Sequence, residues 1–265
     1  MRFIRFQSGD KIHLGQSIDQ KTAHRIDGSL LGEWWLTKDI VPVDRLLAPL
    51  EPVDILCIGL NYREHAKESN SPSPQNPMLF IKAGNTLNHP GGVIPLPKLS
   101  SQIDYEGELA VVIGKAAKDV SRQNALDYVL GYTIANDVTA RDWQREKSLG
   151  GGQFARGKSF DGFCPLGPVL VSADEIPDPN SLRIRTTLNG TLMQDGTTAD
   201  MIFDVPALIE SLSSTMTLRP GAVILTGTPS GVGFARTPPV WMTDGDTIAI
   251  EIEQIGRLEN TVAAT

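Results

Sequence analysis

Residues 103–114 read Ile-Asp-Tyr-Glu-Gly-Glu-Leu-Ala-Val-Val-Ile-Gly, and this stretch predicts a strand at the centre of the fold. Its second half, residues 109–113, is apolar, rich in β-branched residues and ended by a glycine. Glu106 and Glu108 come just before that apolar run. Because alternate residues of an extended chain point to one face, the two carboxylates should project together, roughly 6–7 Å apart at the backbone.

Two carboxylates held this close repel each other, so they are expected to share a proton or a cation. A hard divalent cation is the natural partner for clustered carboxylate oxygens. Taken alone, the pattern also fits a solvated strand end with two exposed acids.

A third acid, Asp137, favours a bound cation over a solvated strand end. It lies in residues 131–138, a mostly apolar run that predicts another strand. An acid there is costly unless it is paired, for example with a nearby Arg, or bound to a metal. Three carboxylates plus waters suit Mg²⁺ or Mn²⁺ better than zinc, which would favour His or Cys ligands.

A candidate proton-transfer pair lies in residues 61–68, which predict a short helix with Asn61 as its N-cap. His65 and Glu68 are i,i+3 neighbours on one face of that helix. A carboxylate beside a histidine orients the ring and raises its basicity, although a surface ion pair is the alternative. The polar, proline-rich segment 69–77 predicts a mobile loop, and beside a candidate base such a loop is a candidate lid.

Basic and polar residues elsewhere are candidates to contact a ligand. Arg141 and Gln144 share a face of a predicted helix at i,i+3, and Lys82 ends a predicted strand at 78–82. Residues 152–159 match the letters of a phosphate-binding loop, but no strand precedes them and no helix follows, so the match is interpreted as chance. Lys158 and Arg141 could instead bind a substrate carboxylate or stabilise an enolate. Thr228 lies in a glycine-rich turn whose amides could also contact a ligand.

The remaining patterns indicate a chain that is mainly β with short helices (α+β). A hairpin is predicted at 182–194 around an Asn189-Gly190 type I′ turn, and a final hairpin at 247–262. Helices are predicted at 121–130 and at 205–216, the second capped by Asp204. Short strands near residues 3–6 and 13–18 predict a small N-terminal β domain (residues 1–50) before a catalytic domain (residues 51–265).

Composition excludes several classes of partner. The 265 residues include 40% hydrophobic residues and carry a net charge of −7, which argues against a nucleic-acid or anionic-membrane surface. No apolar run approaches the roughly 18 residues that a membrane-spanning helix needs, and the N-terminus lacks the apolar core of a signal peptide. Cys57 and Cys164 lie in apolar surroundings, so a reduced cytoplasmic protein is expected.

Six motifs, taken in order, resemble the fumarylacetoacetate hydrolase family. They are GLNYREH (59–65), DYEGELAVVIGK (104–115), NDVTARDWQ (136–144), RGKSFDGFCPLGP (156–168), NGTLMQ (189–194) and TGTPSGVG (226–233). The resemblance runs from about residue 55 to residue 262 and is greatest to the short fumarylacetoacetate hydrolase domain-containing members.

This resemblance implies a mixed β-roll core of the family's C-terminal type with a small N-terminal β domain, usually in a homodimer. It implies a Mg²⁺ site, with Mn²⁺ or Ca²⁺ as alternatives, formed by Glu106, Glu108 and Asp137. The catalytic residues that it implies are His65, Glu68 and Lys158. The substrate-binding residues assigned with them are Arg141, Gln144, Lys82 and Thr228.

The implied activity is that of a divalent-metal-dependent enzyme acting on a small 2-oxo acid or 1,3-dicarbonyl acid through a metal-bound enolate. Hydrolysis of a C–C bond in a fumarylacetoacetate or acylpyruvate, decarboxylation of oxaloacetate and its tautomerisation all share that enolate, so the sequence does not separate them. One alternative is a 2-hydroxyhepta-2,4-diene-1,7-dioate isomerase/5-oxopent-3-ene-1,2,5-tricarboxylate decarboxylase of aromatic catabolism. A non-catalytic metabolite-binding relative is another, and it would be expected to lack a ligand or the base.

Overall fold

The computed structural model describes residues 1–19 and 21–264, and within them the chain is mainly β with short helices, as predicted. The α-helices are α1 (Arg63–Glu68), α2 (Arg141–Arg145), α3 (Phe154–Lys158) and α4 (Val205–Thr215). The strands are β1 (Arg2–Ser8), β2 (Lys11–Ser17), β3 (Thr22–Gly28), β4 (Trp34–Pro42), β5 (Arg45–Leu47), β6 (Ile55–Gly59), β7 (Met78–Lys82), β8 (Leu87–Asn88), β9 (Val93–Leu96), β10 (Ile103–Asp104), β11 (Gly107–Ile113), β12 (Val129–Asn136), β13 (Thr139–Ala140), β14 (Cys164–Ser172), β15 (Arg183–Leu188), β16 (Thr191–Thr197), β17 (Val223–Leu225), β18 (Thr247–Ile252) and β19 (Gly256–Ala264). Short 3-10 helices cover Gly84–Thr86, Arg122–Tyr128, Lys147–Leu149, Ala173–Glu175, Thr198–Asp200 and Gly233–Ala235.

Two mixed sheets make up most of the fold. The larger has 12 strands, in the order β4-β3-β2-β1-β14-β12-β11-β17-β6-β7, with β5 on β1 and β8 on β14. The smaller has the order β16-β15-β18-β19-β9. Most neighbours are antiparallel, but β17–β6, β19–β9 and β14–β8 are parallel pairs, so the expected mixed β architecture is confirmed.

Strand β11 lies between β12 and β17, and every one of its residues is buried. Leu109, Val111 and Ile113 pack in one hydrophobic cluster, whereas Ala110 and Val112 pack in another. Both faces of the strand are therefore covered, which is why its sequence is continuously apolar rather than alternating. The strand begins at Gly107, where a Cβ would lie 2.4 Å from Thr186 Oγ1.

The local turn and capping signals are confirmed. Asn189 and Gly190 both have positive φ angles, 51° and 77°, as a type I′ turn requires. The Asp204 side chain accepts a hydrogen bond from Ala207 N at the start of α4. The helix predicted at 121–130 is wrong: only the 3-10 segment Arg122–Tyr128 forms, because Val129 already begins β12.

The N-terminal strands extend the larger sheet. Strand β1 pairs with β14 through Arg2↔Val171 and Phe3↔Leu170, while β2, β3 and β4 follow it outward. The division of the chain near residue 50 stays a prediction. Within the described residues, no helix is long and apolar enough to cross a membrane.

Candidate active site

The three predicted metal ligands meet at the buried end of β11. Glu106 and Glu108 flank the first residue of this strand, and Asp137 follows the last residue of β12. The pairing Gly107↔Asn136 brings the two strand ends together. One carboxylate oxygen from each acid lies within 4.8 Å of the others, and all three side chains are buried.

The electrostatics of this cluster fit a divalent cation. Burial, together with the charges of Asp137 and Glu106, raises the pKa of Glu108 well above its ordinary value. Burial alone would also raise the pKa of Glu106, but Lys158 and Arg141 outweigh it and lower the pKa to about 2. The three acids offer only oxygen donors in a buried site, and the charged form of Glu108 is disfavoured there. Such a site suits a hard cation such as Mg²⁺, Mn²⁺ or Ca²⁺.

Two cationic side chains contact the same acids. Lys158 Nζ donates to Glu106 Oε2 at 2.7 Å and to Asp137 Oδ2 at 2.6 Å. Arg141 Nη2 donates to Glu106 Oε1 at 2.6 Å, and its Nη1 donates to Gln144 Oε1 at 3.0 Å. Burial opposes the charge of each, but the neighbouring carboxylates prevail and raise the pKa of both Lys158 and Arg141.

A cavity of about 190 Å³ opens over this cluster. Seven of the predicted site residues line it: His65, Glu106, Glu108, Arg141, Gln144, Lys158 and Thr228. Apolar side chains form another part of its wall: Ile58, Leu60, Met78, Phe80, Phe154 and Phe234. The cavity is smaller than the roughly 300–1,000 Å³ of pockets that take drug-sized ligands, so it suits a small metabolite.

The His–Glu pair lies on α1 as predicted, and its partners fix its geometry. His65 Nδ1 is 2.7 Å from Glu68 Oε1. Gly231 N donates to both oxygens of Glu68, at 2.9 and 3.1 Å, and this ties the helix to the turn 226–233. Because Glu68 occupies Nδ1, Nε2 is the nitrogen of His65 that is free to exchange a proton with a molecule in the cavity.

One predicted substrate contact, Lys82, needs correction, and another, Thr228, already has hydrogen-bond partners within the protein. Lys82 does not line the cavity: Nζ is fully buried behind Asp137, where it donates to Asp137 Oδ1 at 2.7 Å and to Val138 O at 3.0 Å. Lys82 therefore orients a predicted metal ligand rather than a substrate. Thr228 does line the cavity, but its hydroxyl donates to Gly107 O and accepts from Gln194 Nε2, so its one hydrogen is already used.

Asp104, a residue that sequence reasoning missed, supports the site from behind. It is fully buried and accepts hydrogen bonds from Gly233 N at 2.7 Å and from Arg141 Nε at 2.8 Å. Asp104 therefore holds Arg141 against the cavity. The sequence could have indicated this role, because Asp104 lies in the acid-rich stretch before β11 and an acid so close to a buried strand needs a partner.

Gln194, also missed, connects the start of β11 to the turn 226–233. Its Oε1 accepts from Gly107 N at 3.0 Å, and its Nε2 donates to Thr228 Oγ1 at 2.7 Å and to Pro229 O at 2.8 Å. The side-chain amide of Gln194 is buried and uses both its oxygen and its nitrogen, and all of these partners lie on other segments of the chain. Only its position at the end of NGTLMQ marked it in the sequence.

Comparisons with known proteins find relatives that cover most of the chain. Residues 54–263 match the family model described as fumarylacetoacetate (FAA) hydrolase C-terminal, and residues 1–49 match one described as Rv2993c-like, N-terminal. The chain is 48% identical over 217 residues to oxaloacetate tautomerase YisK of Bacillus subtilis (strain 168), an alignment that covers 81% of this chain and 71% of the relative. It is 45% identical over 217 residues to the mitochondrial oxaloacetate tautomerase FAHD2A of Homo sapiens, covering 82% and 68%. The crystal structure of 2-hydroxyhepta-2,4-diene-1,7-dioate isomerase from Mycobacterium marinum matches with a TM-score of 0.87 and 40% identity, over 100% of this chain and 99% of that one.

Proposed function

This chain belongs to the fumarylacetoacetate hydrolase family, and we propose that within this family of enzymes it is an Mg²⁺-dependent oxaloacetate tautomerase. The observation that carries the proposal is the small cavity in which three clustered acids, two cations and a His–Glu pair meet. Its small volume, about 190 Å³, suits a four-carbon acid better than a long one. The names of the tautomerase relatives support the same choice.

Keto–enol tautomerisation moves one proton between the carbon beside a carbonyl group and the oxygen of that carbonyl group. When bound to Glu106, Glu108 and Asp137, Mg²⁺ supplies a Lewis acid for the 2-oxo acid unit. Arg141 and Lys158 stabilise the negative charge on the substrate carboxylate and on the enolate oxygen. His65, oriented by Glu68, takes the proton through Nε2 and returns it to the other atom.

The apolar part of the wall favours this reaction over hydrolysis. Met78, Phe80, Phe154 and Phe234 line the cavity and offer no strong hydrogen-bonding group to position a water that His65 could activate. A proton transfer needs no water, whereas C–C hydrolysis needs one held in line with a carbonyl.

The test is a rate assay of the purified protein with oxaloacetate, in which enol, keto and CO₂ signals are followed separately, with Mg²⁺ and after chelation by EDTA. We expect Mg²⁺-dependent enol–keto exchange without CO₂ release. His65→Gln should lower kcat by about 10²-fold or more while leaving Mg²⁺ affinity unchanged, because general acid–base catalysis contributes about that much. His13→Gln, on β2 and outside the cavity, is the matched control.

Other products would redirect the proposal. Release of CO₂ as the main product would make the enzyme a decarboxylase, and cleavage of acetylpyruvate would make it a C–C hydrolase. The second candidate is isomerisation of a dienoate diacid, which the match to the Mycobacterium marinum isomerase favours. Turnover of 2-hydroxyhepta-2,4-diene-1,7-dioate with no oxaloacetate activity would establish it.

We also propose that the enzyme is a cytoplasmic homodimer. Buried free thiols at Cys57 and Cys164 support a reducing compartment. Large apolar side chains are exposed on β4, where Trp35 is 57% and Ile40 60% exposed, and a second subunit would cover such a surface. Light scattering after size exclusion tests the dimer, and a monomer at micromolar concentration would contradict it.

A further inference from the structure

One basic side chain of the cavity stands apart from the others. Arg141 pairs with Asp104 and Glu106, Lys158 with Glu106 and Asp137, and His65 with Glu68. Arg145 lines the same cavity, yet no carboxylate within the described residues lies within 4.0 Å of its guanidinium. A guanidinium without a counter-ion at an otherwise paired site is available to an anionic ligand.

Arg145 lies at the opening of the cavity. It ends α2, one turn after Arg141, and it is both exposed and part of the cavity lining. The guanidinium carbons of Arg141 and Arg145 lie 4.4 and 4.6 Å from the centre of the Phe234 ring. They are therefore at most about 9 Å apart, which is the sum of those two distances.

The Phe234 ring also orients the Arg145 guanidinium. Stacking on an aromatic face holds the guanidinium plane and leaves the N–H groups at its edge free to donate. Two free N–H groups in one plane match the two oxygens of a carboxylate.

We propose that Arg145 binds the distal carboxylate of the substrate and so makes the site selective for 2-oxo diacids over 2-oxo monoacids. This inference rests on the proposed function, because Mg²⁺ held by the acids, together with Arg141, would bind the 2-oxo acid end. A diacid bound in that way carries its second carboxylate away from Glu106 and Glu108, toward the opening. Arg145 is thus a specificity-determining residue and takes no part in the proton transfer.

The kinetic test compares two substrates that share the 2-oxo acid unit and differ at the other end. Oxaloacetate carries a carboxylate there, and acetylpyruvate carries a neutral acetyl group. In Arg145→Gln we expect KM for enol–keto exchange of oxaloacetate to rise about 10-fold with kcat nearly unchanged, while both constants for acetylpyruvate stay within twofold. Arg145→Lys keeps the charge but loses the paired N–H donors. Its KM for oxaloacetate should lie between those of the unsubstituted protein and Arg145→Gln.

Arg156→Gln is the matched control. Arg156 is also an exposed arginine stacked on an aromatic ring, 4.1 Å from the centre of Trp143, but it lies outside the cavity. It should behave as the unsubstituted protein does with both substrates. Equal effects of Arg145→Gln on the two substrates, or none on either, would overturn the proposal.

A binding measurement separates this inference from the proposed reaction. Malate and 2-hydroxybutyrate carry the same 2-hydroxy acid unit, but one ends in a carboxylate and the other in a methyl group. Calorimetry of the Mg²⁺-loaded protein should show malate binding weakened about 10-fold by Arg145→Gln and 2-hydroxybutyrate binding unchanged. That result supports the Arg145 assignment even if oxaloacetate is not turned over, and equal affinities of the two proteins for malate would refute it.

Discussion

Glu108 is the acid of the cluster that depends most on a bound cation. Lys158 donates to both Glu106 and Asp137, whereas among residues 1–19 and 21–264 Glu108 accepts only from Gly227 N at 2.7 Å. Burial, followed by the charges of Asp137 and Glu106, raises the pKa of Glu108. A metal ion must displace the proton that this raised pKa favours, so binding should release a proton and weaken as the pH falls.

The stability of the metal-free protein should reflect the same shift. Because the folded state binds this proton more tightly than the unfolded chain, Glu108 reduces stability as the pH rises from about 4.5 through its raised pKa. Glu108→Gln removes the charge and keeps an acceptor for Gly227 N. We expect it to raise the Tm of the EDTA-treated protein at pH 8, by about 2–4 °C for each kcal/mol gained in unfolding free energy. The substitution should also abolish the stabilisation by Mg²⁺.

Thermal unfolding between pH 5 and pH 9, with EDTA and with Mg²⁺, measures both effects. Glu33→Gln, an exposed acid outside the cavity, is the control for a lost surface charge. If Mg²⁺ stabilised the Glu108 variant as much as the unsubstituted protein, Glu108 would not be a ligand.

Among the elements, α1 is short, and its position depends on contacts before and after it. The expected N-cap is wrong: the helix begins at Arg63 with Tyr62 at the cap, and the Asn61 side chain points elsewhere. Asn61 Nδ2 donates to Phe203 O at 2.9 Å and to Thr226 O at 2.8 Å, and its Oδ1 accepts from Phe203 N at 2.9 Å. Asn61 therefore joins the start of α1 to two distant segments, and Glu68 joins its end to Gly231.

Asn61→Ala should loosen α1 without disturbing the acid cluster. Loss of three largely buried hydrogen bonds should lower the unfolding free energy by about 2–4 kcal/mol, since each contributes about 0.5–1.5 kcal/mol net. Because α1 carries His65, kcat should fall while Mg²⁺ affinity stays within about twofold. Urea unfolding, calorimetry and the tautomerase assay measure the three quantities, and an unchanged kcat would show that Asn61 does not position the base.

For the whole molecule, the N-terminal strands and the region that carries the site form one sheet. Phe6 and Ile4 of β1 are buried in a cluster that also contains Ala23, and Phe3 packs with Leu170 and Ala110 of the central strands. Pairing of β1 with β14 also covers what would otherwise be an open strand edge. The N-terminal segment is thus part of the packing that supports β12 and β11.

A chain that begins at residue 51 is therefore expected to fold poorly. It would expose the edge of β14 and the apolar residues that pack on β1, and open apolar edges promote aggregation. Size exclusion and circular dichroism of the 51–265 fragment should show aggregated or unfolded protein, although all predicted metal ligands are present. A monodisperse, Mg²⁺-binding fragment would instead support an independent catalytic domain with its boundary near residue 50.

Sequence alone predicted the features that depend on a few adjacent residues. The alternation of Glu106 and Glu108 before an apolar run predicted two acids on one face, and the strand pairing adds Asp137 to them. The Asn189-Gly190 turn and the Asp204 cap follow from the backbone preferences of two or three adjacent residues. The motifs in family order predicted the fold class.

Tertiary structure decided which partner each polar side chain takes. Lys82 lies behind Asp137 rather than against the cavity, Asn61 holds Phe203 rather than capping α1, and the Thr228 hydroxyl is taken up by Gly107 and Gln194. These partners are 34 to 142 residues apart in sequence. Periodicity specifies the face on which a side chain lies, but a buried hydrogen bond depends on distances of about 3 Å that only the assembled sheets set.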